Sequence, residues 1–460
     1  VFSVFEMPAH FDADTARRLM ERALALSRAD ETEIVFSGGA AALTRFSNNA
    51  IHQHVAESDA TLEIRAVLGT CVGSAATNDL SEAGIERAVT TACDLAEVAP
   101  RNPEWPGLPG PQTYPELPVA FDEEVAALCD DAAARAHTVA HICAASEAVN
   151  ALAAGSFSVA RSECAILNSK GLFAHAPSTQ VEVTYVFERD GASSYAHATG
   201  WRLAQIDGEA LKVQALRRLK YNRPPRAVPA GEYPVVLEPY AVLTLLEAMI
   251  EDGMGALAVQ EERSWMNPHL GQRCMSPAIS ITDDALAVAG FPRAFDCEGM
   301  PKHRVAIVRD GVPLSPVYDR VTAAREPGRS STGHAQPHDD EDWDGPAPEN
   351  LVLSAGAQSV EELIRATGRG LFVSRFWYVR QTSSQRAAAT GTTRDGVWWI
   401  EGGELAYPVR NLRFDQELVT ALGGVRGVGR DLHTLSGFYG VHRVPALALD
   451  SFRFIGEAEA

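Results

Sequence analysis

The sequence predicts an α+β protein, with an N-terminal domain mixing helices and antiparallel sheet and a mostly β C-terminal domain. Three observations predict it. Two segments with helical spacing bracket a run of short β-branched stretches in roughly the first 100 residues. Proline-rich breaks interrupt the chain at 100–118 and 221–234. In the last half, Asp-Gly and Gly-Gly pairs separate stretches of strand composition.

The first helix is expected from Asp14 to about Arg28, capped by Asp12 or Asp14, with Ala16, Leu19, Met20, Ala23 and Leu26 on one face. Short strands are expected at 33–37, 42–46, 51–56, 61–68 and 71–76, separated by Gly, Asn or Ser. A second helix starts at Ser81 and runs to about Glu97, with Ile85, Ala88, Val89, Ala92 and Leu95 as its stripe. The proline-rich stretch 100–118 reads as a linker or wrapping arm inside this domain, because proline blocks both helix and central strand. One long helix is expected from Asp122 to Leu152, then strands at 155–168, 173–188 and 193–203, then a helix over 208–219. We place the domain boundary at 222/223. Beyond it, a helix is expected over Glu238–Ile250 and a short one over Ser359–Thr367, stopped by Gly368 and Gly370. Hairpins are expected at Asp310-Gly311, Asp395-Gly396 and Gly402-Gly403. Residues 325–349 are Gly, Pro and acid rich and too long for an ordinary loop.

Composition bounds the function. Forty basic against sixty acidic residues leave a net charge of −20. Gripping nucleic acid or an anionic membrane needs a basic surface, so neither is expected as a partner. Seven scattered cysteines with no CxxC pair suit a reduced, cytoplasmic chain. No apolar run reaches the ~20 residues of a membrane span. The opening VFSVFEMPAHFDAD has no basic region or long apolar core, so no signal peptide is expected there. The chain opens on Val, so a few residues are expected upstream.

No GxSxG elbow or GxxxxGK[ST] loop is present, and Gly424, Gly427 and Gly429 lack the strand-then-helix context of a nucleotide site. His137 and His141 stand one helical turn apart, but Thr138 occupies the place where a metallopeptidase helix carries its glutamate. They read as a surface or interface pair. His52 and His54 share a face of a strand, with a structural or interface role expected. His334 and His338 sit in the long loop with Asp339, Asp340, Glu341 and Asp342, which reads as a solvated, mobile charged segment. The aromatic runs Phe376-Trp377-Tyr378 and Trp398-Trp399 read as core and interface packing.

One set of segments is specific. TRFSNNAIHQHVAESDATLEIRAVLGTCVGSAATNDLS (44–81), EYPVVLEPYAVLTLLEAM (232–249), DRVTAAREPGRSSTGHA (319–335), GLFVSRFWYVRQ (370–381), TGTTRDGVWWIEGGELAYPVRNLRF (390–414) and VPALALDSFRF (444–454) occur in order. Together they resemble the TldD/PmbA family, once called modulators of DNA gyrase. The TldD branch of that family carries an HExxxH zinc motif on a helix opening its C-terminal domain, and a cysteine near the C terminus. The PmbA branch, or TldE, usually lacks both and pairs with TldD. Here the corresponding stretch, 237–244, contains no histidine, and the last cysteine is Cys297. The resemblance is therefore to the PmbA/TldE branch, and no catalytic or metal residue can be carried over.

That resemblance implies a non-metal subunit of a zinc metallopeptidase complex acting on unfolded or leader-bearing peptides. Zinc is expected in a TldD-like catalytic partner and not in this chain. The expected assembly is a heterodimer with that subunit or a homodimer. Asn48, Asn49, His52, His334 and Arg375 are the candidates for substrate or subunit contact. Two alternatives remain open: a homodimeric hydrolase with an unrecognised site, such as His334 with the acidic loop, and a regulatory or scaffold protein.

Overall fold

The structure is a computed structural model that describes residues 12–219, 224–251, 253–337 and 345–458. In the first part, α1 (Ala13–Leu26) precedes β1 (Glu31–Ser47), β2 (Ala50–Leu68) and β3 (Cys71–Thr77), and α2 (Glu82–Val98) follows. Both helices start on side-chain caps: Asp12 accepts from the Thr15 amide, and Ser81 from that of Gly84. Next come α3 (Glu123–Leu128), α4 (Ala132–Glu147), β4 (Leu152–Asn168), β5 (Phe173–Arg189), β6 (Ala192–Gly200) and α5 (Gly208–Arg218). The six strands form one antiparallel sheet in the order β3-β2-β1-β4-β5-β6. Residues of one parity on β1, Ile34, Phe36, Ala42 and Phe46, face the helices: α1 and α2 cover one end of that face, α3 to α5 the other.

Two expectations are corrected here. Four of the five short strands, those expected over 33–68, are two long ones, and Gly38-Gly39 continues β1 instead of turning it. A Cβ at Gly39 would lie 2.3 Å from the Arg161 carbonyl oxygen, so glycine permits the close approach of β4. The single long helix over 122–152 is two, because Asp131 accepts from the Ala134 amide and starts α4 afresh.

The second part contains β7 (Gly231–Leu237), α6 (Pro239–Ile250), α7 (Ala256–Gln260), β8 (Ile281–Asp283), β9 (Val305–Arg309), β10 (Val312–Pro313), α8 (Arg320–Ala324) and β11 (Leu351–Leu353). It continues with α9 (Val360–Thr367), β12 (Arg369–Ser383), β13 (Ala388–Glu401), β14 (Glu404–Pro408), β15 (Leu412–Glu417) and α10 (Leu418–Gly423). It ends with β16 (Val425–Val428), β17 (His433–Gly437), β18 (Gly440–Val444) and β19 (Leu447–Glu457). Strand β12 pairs with both β7 and β13, so β12-β7-β19-β15-β13 closes into a barrel. Its filling includes Val235, Leu371, Val373, Phe376, Trp399, Phe414 and Phe452. The alternate residues Val236, Phe372, Trp398 and Ile400 pack outward against Leu363 and Ile364 of α9. A smaller sheet runs β10-β9-β8-β11-β18-β17. The α+β class holds.

The expected hairpin at Asp395-Gly396 is instead a bulge within β13. Val373 pairs with Val397 and Arg375 with Arg394, so Asp395 and Gly396 oppose Ser374 alone. Both take positive φ, 51° and 128°, which a bulge accommodates as readily as a turn. The proline-rich arm crosses onto the second part. Tyr114 donates to the Gly299 carbonyl at 2.9 Å, and Arg320 reaches the Gly107 carbonyl at 2.5 Å. Among the described residues, no helix is long and apolar enough to cross a membrane.

Candidate functional site

Helix α6 enters directly from β7. Pro239 takes its first turn, where a missing amide hydrogen costs nothing. Glu238, at the N-cap, makes no capping bond. It is buried and pairs with buried Arg218 of α5, with Gln214 Nε2 3.2 Å away. Burial pushes the Arg218 guanidinium down to about 10, which leaves it charged at neutral pH. The far end of the helix is tied to β12, where Gln381 Nε2 donates to the carbonyls of Ala248 and Glu251 at 3.1 and 2.8 Å.

One face of α6, Tyr240, Leu243, Thr244 and Glu247, floors a cavity of about 800 Å³. The spacing 240-243-244-247 is a single helical stripe. The walls come from β4, β5 and β6, from β12 between Arg375 and Arg380, and from Ser436-Gly437 of β17. At its centre, Ser436 Oγ donates to Glu182 Oε2 at 2.5 Å and lies 3.0 Å from His197 Nε2. With the serine proton committed to Glu182, the imidazole Nε2–H donates to Ser436. Burial pushes His197 below its ordinary value, with Glu182 opposing the shift. Burial likewise raises the Tyr195 and Tyr240 hydroxyls to about 12. Glu247 is raised by burial, while the Tyr439 and Phe438 amides that donate to it act the other way. Arg375 lies between the Tyr195 and Trp377 rings, 4.3 and 4.9 Å from their centroids, and pairs with Asp395. Trp377 and Tyr378 are exposed at the rim. This arrangement offers donors, acceptors and aromatic faces to the cavity.

Zinc needs three or four converging His, Cys or carboxylate ligands. Among the described residues no group of three exists. Glu247 is the sole carboxylate on the cavity face of α6, and the Tyr439 amide already occupies one of its oxygens at 3.1 Å. The residues present here do not fit the metal.

Of the sequence candidates, Arg375 alone reaches this cavity. Asn48 and Asn49 form the β1–β2 turn, with φ of 51° and 59°. Asn49 Nδ2 donates to the Ala151 carbonyl at 3.0 Å, and its Oδ1 accepts from Ser146 Oγ and the Ala153 amide at 2.6 Å each. It clamps the hairpin to α4 and β4. His52 is exposed on β2. His334 corrects the sequence reading of its loop. It is fully buried, its Nε2 2.9 Å from Asp283 Oδ1 and its Nδ1 2.9 Å from Thr332 Oγ1. The neighbouring His338, Asp339, Asp340, Glu341 and Asp342 lie outside the described residues. Sequence reasoning missed Glu182, His197, Ser436 and Glu247. Strand alternation, which puts Tyr195 and His197 on one face of β6, was the available signal.

The fold is that of a metallopeptidase family. Residues 230–456 match the model of the PmbA/TldA metallopeptidase C-terminal domain, and residues 32–96 match domain 1 of the same metallopeptidases. The chain belongs to the PmbA/TldD family, on its PmbA/TldE side. It is similar to metalloprotease PmbA of Escherichia coli O157:H7, 25% identical over 446 residues, covering 92% of this chain and 94% of that one. A zinc metalloprotease TldD homolog of Saccharolobus solfataricus is 23% identical over 239 residues, half of each chain. The crystal structure of TldE from Thermococcus kodakarensis shares the fold with a TM-score of 0.84 at 19% identity, covering 96% of this chain and all of that one.

Proposed function

We propose that this chain is the metal-free subunit of a two-component peptidase. It pairs with a TldD-like catalytic subunit that carries the zinc, and its α6 cavity holds part of an unfolded or leader-bearing peptide. The observation that carries the reading is the cavity face of α6, which presents Tyr240, Leu243, Thr244 and Glu247 and no imidazole. Around it, Glu182, Ser436, His197 and Arg375 supply hydrogen-bonding groups for an extended peptide. A cytoplasmic setting agrees with seven free cysteines. A self-sufficient hydrolase built on His334 is disfavoured, because both ring nitrogens are engaged and the side chain is sealed from solvent.

The test is co-expression with an HExxxH-bearing relative. A stoichiometric complex is expected, with zinc and peptidase activity present in the pair and absent from this chain alone. In the pair, Ser436→Ala is expected to raise KM for peptide with kcat nearly unchanged. Stoichiometric zinc together with peptide cleavage by the isolated chain would overturn the proposal.

A further inference from the structure

His137 and His141 stand on α4, far in sequence from the α6 cavity and unconnected with it. Both are exposed. Their Nε2 atoms are 3.0 Å apart, and their rings meet edge to face at 86° with centroids 4.5 Å apart. The opposite face of the helix, Arg135, Val139 and Cys143, is buried, which fixes the helix and the direction of the pair. The residues one turn before and after, Ala133, Ala134, Ala144 and Ala145, are all small and leave the front of the pair open.

A metal–imidazole bond is about 2.0–2.1 Å long. Two such bonds at a right angle separate the nitrogens by about 2.8–3.0 Å, whereas a tetrahedral angle needs about 3.3–3.4 Å. The 3.0 Å spacing, here a hydrogen bond between the two rings, lies nearer the cis edge of a square-planar or octahedral centre than the edge of a tetrahedral one. Imidazole nitrogens in that geometry suit Cu(II) and Ni(II), and Cu(II) stands highest in the divalent affinity order. We propose that α4 carries a two-histidine site for a Cu(II)- or Ni(II)-class ion, held by the Nε2 atoms of His137 and His141 with water in the remaining positions. On binding, the proton between the two Nε2 atoms moves to the other ring nitrogen of its histidine, which frees both Nε2 lone pairs. No third His, Cys, Asp or Glu joins them among the described residues, so the ion stays open to solvent. Thr138 stands where a hydrolytic helix has its base, so the site binds an ion without cutting peptides. The ion would clip the middle turn of α4, about one turn before Ser146, which meets Asn49 of the β1–β2 turn.

The experiment titrates the full chain with Cu(II), Ni(II) and Zn(II) by calorimetry, and follows Cu(II) by electron paramagnetic resonance. His137→Ala and His141→Ala are compared with His52→Ala as a control. Both α4 histidines are exposed, so unchanged circular dichroism and melting without metal are expected for each variant. The expected result is a Cu(II) signal coupled to two nitrogens, Zn(II) weaker than Cu(II), and at least tenfold weaker Cu(II) binding in either α4 variant but not in the control. Binding and nitrogen coupling unchanged in both α4 variants, or no Cu(II) bound by the unmodified chain, would overturn the site.

Discussion

His334→Leu tests whether the buried histidine is structural. Asp283 is fully buried, and burial alone would raise its carboxyl. The His334 charge and hydrogen bond, Lys302, and the Glu349 and Asn350 amides together overcome that penalty, and Asp283 falls from 3.8 to about 2. That drop corresponds to roughly 2–3 kcal/mol of stability. Because the folded value lies below the unfolded one, the contribution is complete above about pH 4 and is lost as pH falls through about 2. Leucine fills much of the imidazole volume but donates nothing. Losing a hydrogen bond to a charged acceptor costs about 1.5–3 kcal/mol, and breaking a buried pair about 3–5. Asp283 keeps both amides and Lys302, so we expect about 3 kcal/mol at pH 7. Urea denaturation at pH 7 and pH 4 measures it. The deficit should shrink at the lower pH, where a raised Asp283 in the variant takes up its proton. His334→Leu with Asp283→Asn should recover more than half of the loss, because no buried charge is then left unpaired. A single variant within about 0.5 kcal/mol of the parent at pH 7 would refute this account.

Asn49→Ala removes three hydrogen bonds and puts alanine at φ 59°, so a loss of about 2–3 kcal/mol in urea denaturation is expected. Asn48→Gly at φ 51° should stay within about 0.5 kcal/mol of the parent. Glu298 is pushed up to about 8 by burial and by the Asp296 and Asp319 carboxylates. A raised carboxyl stabilises fully below its unfolded value of 4.5 and loses that stability as pH rises through about 8. Glu298→Gln should therefore come nearest the parent below pH 4.5 and pull ahead of it by several kcal/mol as pH rises to 9. Melting curves across that range check it, and equal slopes for the two proteins would remove the argument.

Helices α2 and α9 were legible because their signals are local. Ser81 caps α2, and Ser359 with Glu362 forms a full capping box at α9. Glycine was ambiguous for the same reason: Gly38-Gly39 and Asp395-Gly396 resemble turns, and only the partner strand decides between a turn, a close approach and a bulge. The barrel closure rests on β12 pairing with both β7 and β13, which no local pattern encodes. The site was the least legible part. Ser436 and Glu182 are 254 residues apart, and His197 joins them from a third strand. His334 read as a loop residue because of its acidic neighbours in sequence, whereas Asp283, 51 residues earlier, decides its burial.

The placement of α6 ties these findings to function. Ten of its twelve residues are buried, although it floors an open cavity. A helix apolar on nearly every side is held by packing and has little freedom to shift. The Glu238–Arg218 pair fixes its start to α5, and Gln381 fixes its end to β12. Its cavity stripe therefore faces the same direction whether or not a metal ligand stands on it. A floor held at both ends spends none of a ligand's binding energy on ordering itself. The position of this helix and the chemistry of its exposed stripe are separable, so side chains at 240, 243, 244 and 247 can change role while α6 stays where it is.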